Sequence, residues 1–187
     1  LLMAAFFAVS ALVSRQAGAL ADSVGPITTL QIGLVGSALV AAGVAAGVRS
    51  VTLLAIAMMV GGACNALTQI AANVYLARYL PPDRHGLAFA VKQSANPGGA
   101  MAAGLLLPTL VLNLGWRSAF VVAACGAGCS AVALQAGRNW PPAVPVPDVG
   151  IRQGAVTTSP PPTGGRDRAL ILVAASAAFG SASAVAL

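Results

Sequence analysis

The sequence predicts an all-α polytopic membrane protein, and three observations carry that prediction. The 187 residues are 58% hydrophobic and only 7% charged, with a mean hydropathy of +0.86. Soluble domains carry about 25% charged residues. Ten basic and four acidic side chains cannot coat a water-exposed surface of this size. The same apolar content excludes disorder for most of the chain. Second, the apolar stretches are long and unbroken, whereas a barrel would show alternating segments of about ten residues. Third, charges punctuate these stretches at intervals close to the ~20 residues that a spanning helix needs.

Reading from charge to charge gives six spans, near 1–20, 27–48, 52–77, 86–111, 118–137 and 169–187. The connection from Gly47 to Ser50 is short enough to make a helix hairpin. In the turn from Tyr79 to Gly86, Pro81 and Pro82 stop one helix and Asp83 is placed to cap the next. The turn from Asn113 to Ser118 closes another hairpin, with Trp116 at interface depth. Composition changes at Arg138. Between Trp140 and Arg168 stand Pro141, Pro142, Pro145, Pro147, Pro160, Pro161 and Pro162, the mark of an extended linker. The expected organisation is five helices over 1–138, a Pro-rich linker over 139–168 and a further helix over 169–187, cut short. Residue 1 is Leu and both ends fall at apolar runs, so the chain reads as an internal piece of a longer protein. A signal peptide over the first 21 residues is the rival reading. It lacks a basic leading region, and Arg15 and Gln16 interrupt the approach to a cleavage site.

Alternate loops lie on opposite sides of a membrane. One side collects Arg15, Arg78, Arg84, Arg138, Arg152, Arg166 and Arg168, and the other holds Arg49 and Arg117. This positive-inside bias places the loops near 22, 83 and 139–168 in the cytoplasm. The expected location is a bacterial inner, or plasma, membrane. The net charge of +6 is then a matter of topology. It marks no nucleic-acid partner, because no basic patch interleaved with aromatic residues accompanies it.

Polar residues inside the spans are the candidate substrate site. Asn65, Gln69 and Asn73 recur every four residues and form a stripe on one helix. Lys92, Gln93 and Asn96 cluster on the next. Lipid exposure of such groups is unfavourable, so they should face protein or a water-filled cavity. The two helices run antiparallel, which lets the clusters meet across one cavity. Two readings of Lys92 stand: an interface anchor that snorkels outward, or a solute ligand, which favours an anionic solute. Two readings of the stripe also stand, solute binding and interhelical hydrogen bonding. Pro97 and Pro108 are candidate kinks. Gly43 and Gly47, then Gly99, Ala103 and Gly104, are candidate close-packing positions.

The run Gly18-Ala19-Leu20-Ala21-Asp22-Ser23-Val24-Gly25-Pro26 resembles the loop between the second and third helices of major facilitator superfamily transporters, which reads Gly-x-Leu-Ala-Asp-Arg-x-Gly-Arg-Arg/Lys. Gly18, Leu20, Ala21, Asp22 and Gly25 match, while Ser23, Pro26 and Ile27 replace basic residues. The turn with Pro82, Asp83, Arg84 and Gly86 resembles the family's link between helices four and five. Gly115-Trp116-Arg117-Ser118-Ala119-Phe120 is similar to the start of its sixth helix. The Pro-rich linker sits where the family joins its halves. The resemblance implies an incomplete major-facilitator-like bundle of helices two to seven. It assigns gating to Gly18, Asp22 and Gly25; Arg78, which ends another helix on the same side, is the expected partner of Asp22 in that gate. The alternative for Asp22 is a solvated turn residue. Two marks of subfamilies are missing: an arginine in the stretch Ile56–Gly62, and a Gly-Pro order where this chain reads Asn96-Pro97-Gly98-Gly99.

The function expected is secondary-active transport of a small solute by alternating access, with the lipid bilayer and the solute as partners and with a coupling ion, the solute itself or a missing subunit as the source of coupling. The alternative is a nonfunctional truncated remnant or a membrane scaffold. An enzyme is not expected. The single His85 lies in a turn and there is no Glu, so no nucleophile–base pair or ligand set forms. Cys64, Cys125 and Cys129 read as small buried residues rather than metal ligands. No cofactor and no metal are expected.

Overall fold

The computed structural model describes residues 2–80 and 85–137. Regular structure among them is α-helical: α1 (Leu2–Ser23), α2 (Pro26–Gly47), α3 (Val51–Tyr79), α4 (His85–Leu114) and α5 (Arg117–Gly137). All five are long and apolar enough to cross a membrane. They match the first five expected spans to within a few residues. The sixth span, the linker, Arg138 and the residues Pro81 to Arg84 lie outside the described residues.

Local chemistry sets the helix ends. Gly25 has φ 98° and ψ 146°, a region essentially reserved for glycine. It turns the chain between α1 and α2, and Pro26 follows at the first helical position, where its missing N–H goes unused. Ser50 caps α3, its Oγ accepting from the Thr52 amide at 3.3 Å. The His85 ring donates from Nε2 to the Leu80 carbonyl at 2.9 Å, tying the start of α4 to the end of α3.

The helices pack as a row, α1 on α3, α3 on α2 and α2 on α5, with α4 touching α3 and α5 more lightly. Close approach at glycine builds the first two contacts. A Cβ on Gly62 would strike the Phe6 carbonyl oxygen of α1. On the α2 side, a Cβ on Gly33 would lie 2.5 Å from Thr68 Oγ1, and one on Gly36 2.5 Å from Cys64 Sγ. In lipid no hydrophobic drive favours helix association, so such backbone contact is what joins the helices. Leu30, Leu34, Ala71, Ala72 and Leu134 fill the space among α2, α3 and α5.

Three expectations are corrected. Gly18 is not in a loop, because α1 continues to Ser23 and the turn is confined to Val24 and Gly25. A Cβ on Gly43, Gly47 or Gly104 would meet nothing within 4 Å, so the close approaches fall at Gly33, Gly36 and Gly62 instead. Cys64 is buried, but Cys125 and Cys129 are exposed on α5, opposite the side that carries buried Ala127. Spacing alone gave the glycine pairs no direction around the helix, and direction decides what they meet.

Candidate functional site

The polar stripe on α3 is present as spaced, and it reaches α4 at one point. Lys92 Nζ donates to Asn73 Oδ1 at 2.6 Å. Lys92 is only 4% exposed, and it and Ala88 are the buried residues of α4. Leu76, Leu80 and Ala88 pack beside this contact with Tyr75 and Phe89. That small apolar cluster holds the start of α4 against the end of α3. The pairings Asn73 with Lys92 and Leu76 with Ala88 fix an antiparallel register. Carried one turn further, the register sets Asn96 level with Gln69.

Asn73 itself is exposed, so of this pair only Lys92 is enclosed. Gln69, Asn65 and Asn96 are half-buried, and Gln93 is exposed on the bundle. Asn65 Oδ1 is itself buried and accepts no hydrogen bond among the described residues. A buried carbonyl oxygen without a donor is rare in folded proteins and marks a place where a polar partner fits. Pro97 stands inside α4, so the Gln93 carbonyl lacks the N–H it would meet four residues on. Asn65 Oδ1 and the Gln93 carbonyl are acceptors. The Lys92 ammonium and the Asn73 amide nitrogen are donors. The two helices thus present both polarities.

A second constellation closes one end of the bundle. Arg78 Nη2 donates to Asp22 Oδ1 at 2.9 Å, joining the last turns of α3 and α1. Both helices end here, so two negative dipole ends lie side by side, and a carboxylate in α1's last turn adds to them. Arg78 offsets all three. The pair is solvent-accessible, with side chains 47% and 64% exposed. Gly25 supplies the turn just beyond it. Gly18 is helical, and a Cβ there would meet nothing within 4 Å, so the packing of this chain does not require a glycine at that position.

One polar contact was missed from sequence. Gln31 Nε2 of α2 donates to Gln135 Oε1 of α5 at 2.7 Å. Each is a lone amide in an apolar run, and each lies a turn or two from the same end of the bundle; equal depth was the available signal. By contrast, Thr29 and Thr68 are buried but bond back to the carbonyls of Gly25 and Cys64 on their own helices. Among the described residues no group of three or more His, Cys, Asp or Glu could hold a metal ion.

The family model described as Major Facilitator Superfamily matches residues 1–187. No curated protein and no solved structure matches the chain significantly. The chain belongs to the Major Facilitator Superfamily, whose members are membrane transporters rather than enzymes.

Proposed function

Taking that membership as the premise, we propose that the chain serves secondary-active transport of a small solute by alternating access. The observation that supports this best is the polar line within apolar helices. Asn65, Gln69 and Asn73 run along α3, and Asn73 joins Lys92 of α4. Polar and ionisable groups at membrane depth are retained where they face a pathway or a partner. Transporter sites lie near the midplane, between bundles that rock around them. Asn65, Gln69, Asn73, Lys92, Gln93 and Asn96 are the solute contacts in this reading.

Asp22 and Arg78 act as a gate on one face. The turn between α1 and α2, with Arg78 beside it, faces the cytoplasm, as the arginine distribution favours. An exposed ion pair is a weak latch, worth about 0.2–1 kcal/mol. Such a contact can be broken and remade in each cycle without locking the protein. Gly25 gives α2 its fixed departure from α1 just beyond the pair.

Flux of labelled solutes into proteoliposomes tests the site. Gln69→Ala and Asn65→Ala should each weaken the apparent affinity for the transported solute. Equal affinities in both variants would remove these residues from the site.

A further inference from the structure

We infer that Lys92 and Asn73 bind a singly charged carboxylate, which rests on the transport reading and deepens it by naming the class of solute. Lys92 is enclosed to 4% exposure, yet its one side-chain partner among the described residues is a neutral amide. Its counter-charge does not come from the neighbouring spans. The four acidic residues are Asp22, Asp83, Asp148 and Asp167, so no carboxylate lies between residues 23 and 82 or between 84 and 147. Asp22 is already held by Arg78. A desolvated ammonium with no opposite charge is unfavourable, and an anion that enters beside it removes that penalty.

The geometry narrows the anion. Asn73 gives its Oδ1 to the ammonium, which leaves its NH2 group as a donor. Ammonium and amide together offer neighbouring N–H donors, a match for the two oxygens of a carboxylate. A single positive charge balances a single negative one, whereas a phosphate monoester carries about 1.5–2 charges at neutral pH. Lys92 lies about two turns, or roughly 10 Å, from the start of α4. A lysine anchored to lipid phosphate would extend outward with its tip exposed. Here the tip is turned to α3 and covered.

The test uses the intact chain in phosphatidylcholine nanodiscs, reading the thermal unfolding midpoint. Probes are acetate, lactate and benzoate against acetamide, lactamide and benzamide, at constant ionic strength. At least one carboxylate should raise the midpoint saturably while its amide does not. Lys92→Gln should weaken that carboxylate's apparent affinity about 10- to 100-fold, and Lys92→Arg should retain most of it. The proposal is overturned if no carboxylate outperforms its amide, or if Lys92→Gln binds equally well. It is also overturned if adding phosphatidylglycerol abolishes the carboxylate effect, which would give the ammonium to lipid phosphate. Should Lys92→Gln fail to reach native helix content, the wild-type comparison of acid with amide decides alone. Two-sided water access at residue 69 without any carboxylate preference would sink the anion assignment and leave transport standing. Loss of that access would sink transport itself.

Discussion

Asp22 meets Arg78 at the same sequence offset, 56 positions, by which Phe6 meets Gly62. The two contacts lie about 24 Å apart along the helix. α1 and α3 therefore run parallel and in constant register, fixed at one level by a glycine and closed at one end by an ion pair. The glycine contact is tight and apolar, whereas the ion pair is exposed. Packing energy and a breakable polar contact are thus separated along one interface.

Gly62 should be intolerant of any side chain. Gly62→Ala places a Cβ against the Phe6 backbone, which cannot move without shifting α1. The expected loss is about 1–3 kcal/mol, as for overpacked interiors. Gly43→Ala faces open space and should be neutral or stabilising by up to about 1 kcal/mol, the helix-propensity difference. Denaturation of both variants in detergent micelles checks the contrast. Equal behaviour would mean that Gly62 is not a helix–helix contact.

Gly25→Ala should cost about 1–3 kcal/mol, because a Cβ is strained at φ 98° and ψ 146°. Gly18→Ala should not destabilise, since Gly18 is helical and unopposed. Thermal unfolding of the two variants side by side separates a backbone requirement from a motif match.

The ion pair should matter more for function than for stability. Asp22→Asn and Arg78→Ala should each change unfolding free energy by no more than about 1 kcal/mol. Each should alter transport rate, and the charge exchange Asp22→Arg with Arg78→Asp should recover part of it. A double-mutant cycle on flux measures the coupling. Purely additive effects would reduce the pair to a surface contact.

Thiol chemistry should report the orientation of α5. Cys125 and Cys129 are exposed on the bundle, whereas Cys64 is enclosed against Gly36. A maleimide that partitions into micelles should modify Cys125 and Cys129 faster than Cys64. Comparable rates would contradict the described packing of α2 on α3.

Much of this was legible in the sequence, for identifiable reasons. The charge spacing set the helices, because spanning length is imposed by the bilayer rather than by a tertiary partner. Asp22 and Arg78 were paired by topology alone, since each ends a helix on one side. The stripe of Asn65, Gln69 and Asn73 followed from helical periodicity. The glycine contacts did not follow. Gly33, Gly36 and Gly62 have the same local chemistry as Gly43, and only the rotation of each helix distinguishes them. The turn at Gly18 was misplaced because a motif carries no record of where its helix ends. The antiparallel run of α3 and α4 let the two polar clusters meet, but which residue of each makes the contact, Lys92 with Asn73, depends on a register that the sequence does not state.

Water access at Gln69 tests the transport account most directly. In membrane vesicles of both orientations, Gln69→Cys on a background with Cys64, Cys125 and Cys129 replaced by Ala should react with a membrane-impermeant thiol reagent. The account predicts labelling from both faces of the membrane, because a site that alternates opens to each in turn. Labelling from one face only, or from neither, would contradict alternating access at this stripe.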